Sequence, residues 1–168
     1  DLTNRQVVSK LVNEFSPERI FHLAAQAGVR LPVESFNRYV ESNMTGFANI
    51  MISAVENLIP DFLYASSSSV YGNSTQFPYS ENQQSLTQES FYGATKYTNE
   101  ILANTMAKTS STRFRGLRFF TVYGPKGRPD MAYFRLIYSA LSGKPFHLFG
   151  DGTIRRDFTY ISDVIQSM

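Results

Sequence analysis

Apolar residues recur along this chain in two alternating rhythms. Val7, Val8, Leu11, Val12 and Phe15 fall at helical spacing, with Thr3 placed to cap the helix and Pro17 to close it. Arg19-Ile20-Phe21-His22-Leu23-Ala24-Ala25 follows, a short apolar run that reads as a buried strand. The spacing of Val40, Met44, Phe47, Ile50, Met51, Ala54, Val55 and Leu58 predicts a long helix over 35–58, ended by Pro60. Phe62-Leu63-Tyr64-Ala65-Ser66 is a second buried strand. A helix is predicted over 91–108, with Ile101, Leu102 and Met106 on its buried side, and a third strand over 114–120. A helix over 131–142 stops at Gly143, short strands are predicted over 146–149 and 157–161, and a last helix begins after them. Residues 73–89 are polar and hold Pro78, so they read as a surface loop.

Helices alternating with continuously apolar strands predict an α/β fold built on a doubly wound parallel sheet. In such sheets ligands bind beyond the C-terminal strand ends. The unusual segments 24–30, 66–72 and 121–128 each follow a predicted strand. Together with the helix that opens near Tyr92, they would line one cleft.

Composition narrows the function classes. Of 168 residues, 42% are hydrophobic and 18% charged, which is the balance of a globular chain. The net charge of +2 carries no basic run longer than Arg155-Arg156, which argues against a nucleic-acid partner. The absence of cysteine excludes a disulfide framework and a thiol nucleophile, and fits a reducing, cytoplasmic location. No apolar run approaches the ~18 residues of a membrane span. The chain opens Asp1-Leu2-Thr3-Asn4 and stops at Met168 inside a helical pattern, so it is expected to be a fragment of a longer enzyme.

The chemistry centres on Tyr92-Gly93-Ala94-Thr95-Lys96. On a helix, residues i and i+4 share a face, so the phenol and the ammonium would point the same way across small residues. An ammonium beside a phenol, whose ordinary pKa is near ~10, favours the phenolate and makes a general base. With ten tyrosines in the chain, the same spacing also arises by chance. Ser66-Ser67-Ser68-Ser69 could donate to a reacting oxygen or be a solvated turn. His22 reads as a packed core histidine, and no His, Asp or Glu cluster has metal-ligand spacing. Arg155 and Arg156, after Gly150-Asp151-Gly152, could bind a diphosphate or form an exposed hairpin.

Four segments taken in order resemble the extended short-chain dehydrogenase/reductase family, in its NAD-dependent nucleotide-sugar epimerase/dehydratase branch. They are His22-Leu23-Ala24-Ala25-Gln26, Ser66-Ser67-Ser68-Ser69-Val70-Tyr71-Gly72, Tyr92-Gly93-Ala94-Thr95-Lys96 and Gly150-Asp151-Gly152 with Arg156-Asp157-Phe158. The segments Ala24-Ala25-Gln26-Ala27-Gly28-Val29-Arg30 and Leu117-Arg118-Phe119-Phe120-Thr121-Val122-Tyr123-Gly124-Pro125 are further similar to UDP-glucuronate 4-epimerases.

The resemblance implies a Rossmann-type domain holding NAD over residues 1–124 and the start of a nucleotide-sugar-binding region over 125–168. The family's first strand, glycine-rich turn and helix would lie before Asp1 and are missing from this sequence. It implies cofactor contacts from Asp1, Leu2, Leu23, Ala24, Ala25, Asn43, Tyr92, Lys96 and Phe120. Tyr92, Lys96 and Ser67 would be catalytic in a redox-neutral 4-epimerisation of a UDP-sugar through a 4-keto intermediate. Arg30, Ser68, Ser69, Thr121, Arg128 and Arg156 would contact substrate, with Arg128 and Thr121 on a uronate carboxylate and Arg156, with Arg30, on the diphosphate. Relatives that dehydrate or decarboxylate carry a carboxylate where Ser68 and Ser69 stand, so epimerisation is favoured over elimination. The resemblance also implies pairing of the helices over 35–58 and 91–108 across a homodimer.

Overall fold

Three parallel strands carry the first part of the chain. The computed structural model describes residues 1–28, 32–83, 85–148 and 150–168. These fall into two units, Asp1–Phe119 and Phe120–Met168. In the first unit, β1 (Arg19–His22), β2 (Asp61–Ala65) and β3 (Arg113–Leu117) form a sheet in that order. Their register sets His22 beside Tyr64 and Ala65 beside Leu117, so the three strands end together. At the opposite end Asp61 accepts two hydrogen bonds from Arg113 and pairs with Arg19 at 3.5 Å and Arg115 at 3.3 Å. One carboxylate thus fixes the start of every strand.

Helices α1 (Arg5–Phe15), α2 (Phe36–Tyr39), α3 (Gly46–Glu56) and α4 (Phe91–Ala107) complete the unit. Strand residues alternate between the two sheet faces. The face carrying Phe62 and Tyr64 holds the core, with Val8 and Val12 from α1, Phe47, Met51 and Ala54 from α3, and Ala103 from α4. Phe62 is fully buried, and truncating such a ring to alanine typically costs about 3–5 kcal/mol.

Several boundaries differ from the sequence reading. Asn4, not Thr3, caps α1: its side chain accepts from the Val7 amide at 3.1 Å, while the Thr3 hydroxyl is drawn to Asp1. Val7, Leu11 and Phe15 stay exposed, so the buried stripe of α1 is narrower than its apolar spacing suggests. Strand β1 stops at His22 rather than Ala25, and the chain beyond it is held at Gln26, whose amide and carbonyl both bond the Asn43 side chain. The long helix over 35–58 is interrupted by a π-helical turn, Val40–Thr45, which carries Asn43.

The strand expected over 114–120 divides. Beyond β3 the Phe119 amide turns back to the Leu117 carbonyl at 3.0 Å, and Arg118 leaves the sheet for Glu100. The chain resumes as β4 (Thr121–Tyr123) in the second unit, parallel to β5 (Phe158–Tyr160). Helices α5 (Ala132–Ser142) and α6 (Ile161–Ser167) complete that unit. Residues 146–148 are not a strand, and Pro145 removes a donor where a ladder would begin. Phe149, the last residue of that expected strand, lies outside the described residues. The polar segment over 73–89 contains no helix or strand among its described residues.

Candidate active site

The C-terminal ends of β1 and β2 and the first turns of α4 build the site. Ser90 starts α4 by accepting from the Gly93 amide at 3.0 Å, a cap that satisfies one orphan helix donor. Capping there places Tyr92 in the first turn and Lys96 in the second. Lys96 is 2% exposed and donates to the Ala65 carbonyl, the last residue of β2, at 2.8 Å. Its ammonium lies 5.8 Å from the Tyr92 ring centre. Burial pulls its pKa down to about 8, well below an ordinary lysine.

The serine run is a turn folded against this helix. Ser67 is 8% exposed and caps a 3₁₀ turn, Ser68–Tyr71. Its hydroxyl accepts from the Ser69 amide and donates to the Ser69 hydroxyl, both at 3.1 Å. The Ser68 amide donates to the Phe119 carbonyl at 2.9 Å. A methyl built on Gly93 would sit 3.3 Å from Ser69 Cβ, so the helix and the serine turn touch where Tyr92 and Lys96 are separated by glycine. Glycine is required there for closeness of approach rather than for an unusual backbone angle.

A polar clamp sets the loop after β1. Asn43 Oδ1 accepts from the Gln26 amide at 2.7 Å, and its Nδ2 donates to the Gln26 carbonyl and the Thr95 hydroxyl, each at 3.1 Å. The Tyr39 hydroxyl donates to the Gly28 carbonyl. Gly28 has φ of 101°, a left-handed angle that favours glycine. The clamp leaves Leu23 and Ala24 exposed and Ala25 half-buried along the strand ends. His22 lies behind them, packed on Phe47 and Phe62 with ring centres 5.6 and 6.1 Å away. Burial, and then the Lys96 charge, push its pKa down to about 4. It is a neutral core residue, as its apolar strand suggests.

The first unit therefore brings Leu23, Ala24, Ala25, Asn43, Ser67, Ser68, Ser69, Tyr92 and Lys96 to one set of strand ends. Asp1 and Leu2 open the unit: the Asp1 carboxylate accepts from the Thr3 amide and hydroxyl, and the Leu2 carbonyl accepts from Asn49. Phe120, Thr121, Arg128 and Arg156 belong to the second unit. There the Thr121 amide donates to the Asp157 carbonyl at 3.2 Å. Arg128 engages Asp130 through two hydrogen bonds, and the exposed Arg156 donates to the Arg155 carbonyl at 2.7 Å. Arg30 lies outside the described residues.

Three residues beside the site escape a sequence reading. Thr95 seats the Asn43 clamp, and Glu100 and Arg118 form a nearly buried pair next to Ser66. Glu100 lies one turn beyond Lys96 on the same helix face, a faint signal that gains meaning only once Arg118 is seen across from it. Among the described residues, no group of three or more His, Asp or Glu side chains is arranged to hold a metal ion. No described helix is long and apolar enough to cross a membrane.

A Rossmann-type parallel sheet that gathers a helix-borne Tyr–Lys pair and serine hydroxyls at its strand ends is the framework of the extended short-chain dehydrogenase/reductases. The whole chain, residues 1–168, matches the NAD dependent epimerase/dehydratase family, and it belongs to that family. It is 44% identical to UDP-glucuronate 4-epimerase 4 of Arabidopsis thaliana, a match covering 99% of this chain and 39% of that protein. It is 41% identical to Protein CapI of Staphylococcus aureus, covering 99% of this chain and 50% of that one. Among solved structures, it superposes with a TM-score of 0.90 and 39% identity on UDP-glucuronic acid 4-epimerase from Bacillus cereus in complex with UDP-glucuronic acid and NAD, over 99% of this chain and 52% of that one. UDP-glucose 4-epimerase from Thermotoga maritima with UDP-glucose gives a TM-score of 0.93 at 28% identity, over 99% and 55%. The chain thus spans half or less of the length of these two curated relatives.

Proposed function

We propose that this chain is the catalytic part of a longer NAD-dependent UDP-sugar 4-epimerase that interconverts UDP-glucuronate and UDP-galacturonate. The observation that carries the reading is the docking of α4 on the serine turn. Lys96 is tied to Ala65 at 2.8 Å and lies 5.8 Å from the Tyr92 ring centre, and Gly93 meets Ser69, so the Tyr–Lys pair and the serine turn adjoin at the end of β2.

The residues present fit NAD. The Asn43 clamp holds the loop over 24–28 away from the ladder and leaves Leu23 and Ala24 open beside the strand ends. Leu23 and Ala24 would hold the cofactor there, and Lys96 would donate to its ribose hydroxyls. Asp1, Leu2, Ala25 and Phe120 are the further contacts in this reading. When bound, NAD accepts and returns the hydrogen at sugar C4 together with its electron pair.

The chain's own residues manage the proton and the oxygen. Tyr92 as phenolate takes the proton from the 4-hydroxyl and later gives it back. Lys96 favours that phenolate by its charge and its closeness. Ser67 hydrogen-bonds the 4-oxygen in the hydroxyl and keto forms alike, as a hydroxyl that both donates and accepts can. In this reading the 4-keto sugar would turn within the pocket, so that its opposite face would take back the hydride that bound NAD would supply. Ser68, Ser69 and Thr121 supply neutral donors to the sugar and its carboxylate. Arg30, Arg128 and Arg156 supply the cations for carboxylate and diphosphate. Residues 1–124 form the cofactor and catalytic region in this reading, and residues 125–168 begin the sugar-binding region.

Dehydration or decarboxylation needs a carboxyl acid–base beside the serine turn. Ser68 and Ser69 cannot supply one, and Glu100 is committed: its two oxygens accept from Ser66 and twice from Arg118. Incubating the full-length protein with UDP-glucuronate and resolving the nucleotide sugars tests the reading. UDP-galacturonate alone, with no net NADH, is expected. A 6-deoxy or decarboxylated product overturns it, as does the absence of any turnover.

A further inference from the structure

Three successive turns of α4 grip the same strand end. Gly93 packs on Ser69, Lys96 donates to the Ala65 carbonyl, and Glu100 accepts from the Ser66 hydroxyl. Residues 93, 96 and 100 lie on one helix face, so the three contacts form a single seam. Only the last of them involves a charged acceptor, and that charge is answered from a third segment.

Arg118 provides the answer. Its guanidinium binds Glu100 in a fork, Nε to Oε1 at 3.0 Å and Nη2 to Oε2 at 2.8 Å. Its remaining terminal nitrogen donates to the carbonyls of Glu81 and Gln83, at 3.2 and 3.1 Å. The guanidinium carbon lies 4.8 Å from the centre of the Tyr71 ring, the residue that ends the serine turn. One planar cation therefore reaches α4, the polar segment near residue 82 and the serine turn at once, which lysine could not do. Both side chains are nearly buried, with 15% and 11% exposure.

Such a pair adds little stability over an apolar one, because the desolvation of two charges offsets most of their attraction. What it adds is direction. An apolar pair would fill the same space but would not aim hydrogen bonds at Ser66, Glu81 and Gln83.

We propose that Arg118, Glu100 and Ser66 are positioning residues that hold the serine turn in register with Tyr92 and Lys96. This rests on the function proposed above for what is being positioned, though not for the holding itself. None of the three touches the reacting atoms. They act through the placement of the adjacent Ser67.

The test uses the full-length enzyme with bound NAD and compares Ser66→Ala with the double replacement Glu100→Met/Arg118→Met. Ser66→Ala removes one hydrogen bond and leaves the ion pair, so it keeps the fold. Its kcat is expected to fall ~3–10-fold, while KM for UDP-glucuronate and NAD content stay within ~2-fold. The apolar double variant should melt close to the wild type and still lose ~10–100-fold in kcat, because volume is restored without direction. Wild-type turnover in Ser66→Ala, or in a double variant that melts normally, overturns the proposal. A wild type that turns over no UDP-hexose would overturn the functional reading instead. Amide exchange of residues 66–71 and 81–83 then decides this one: ~10-fold faster exchange in Glu100→Gln supports the relay, and unchanged exchange overturns it.

Discussion

The ammonium of Lys96 donates to the carbonyl of Ala65 at 2.8 Å, joining the second turn of α4 to the last residue of the central strand. A lysine so placed is both a charge beside a phenol and a strut between helix and sheet. In Lys96→Met the apolar stem is kept and both roles are lost. The full-length enzyme should lose ~10²–10⁴-fold in kcat, the range for a lost acid–base contribution. The far-ultraviolet circular dichroism should remain that of the wild type, since the core around Phe62 is untouched.

Gly72 should be intolerant of any side chain. Its φ is 59° and ψ is −131°, and a methyl built there would lie 2.2 Å from the Thr87 carbonyl oxygen. That oxygen is backbone and cannot swing aside. Gly72→Ala should destabilise the protein by roughly 1–3 kcal/mol, as a residue forced into a glycine conformation does. A urea titration would show a lower midpoint at an unchanged slope.

Gly93 makes a different prediction. A helical glycine changed to alanine ordinarily stabilises by about 1 kcal/mol. Here the new methyl would meet Gln88 Oε1 at 3.1 Å, Ser90 Oγ at 3.2 Å and Ser69 Cβ at 3.3 Å. The helix must back away from the serine turn by a few tenths of an ångström. Gly93→Ala should therefore show little gain in melting temperature and a loss of turnover of ~10-fold or more, since small misplacements of reacting groups are costly.

His22 should make the fold sensitive to acid. Its folded-state pKa, pushed to about 4 from an ordinary 6.5, lies below the unfolded value. Between those pH values the unfolded chain binds a proton that the folded chain does not. Stability is then lost as the pH falls from 6.5 towards 4, by on the order of 3 kcal/mol in total. Denaturation at pH 7 and pH 4.5 should show this loss in the wild type. His22→Phe, which can stack between Phe47 and Phe62 without titrating, should flatten it.

Much of this framework is legible in the sequence where periodicity and a local motif agree. The helix bearing Tyr92 and Lys96 is expected over 91–108 and runs from Phe91 to Ala107, but Ile101, placed on its buried side, is exposed, and Thr95, Lys96, Asn99 and Glu100 are buried instead. The end of β1 was not legible. Leu23-Ala24-Ala25 is as apolar as the strand before it, and the chain beyond is held at Gln26 by an asparagine from the π-turn, 17 residues away. The division of the strand over 114–120 has the same origin: Arg118 is drawn out of the sheet by Glu100 across from it. Asn4 displaced Thr3 as cap for a local reason, since Asp1 takes the threonine hydroxyl. Side chains that reach across the fold leave no period in the chain, and these set the edges of the site.

The proposed role of Tyr92 is to move the proton at sugar O4. Its most direct test is the interconversion of UDP-glucuronate and UDP-galacturonate by full-length wild type and Tyr92→Phe, with NAD content measured in both. Tyr92→Phe is expected to keep its NAD and to lose ~10²–10⁴-fold in kcat. A Tyr92→Phe enzyme that epimerises at the wild-type rate would contradict it.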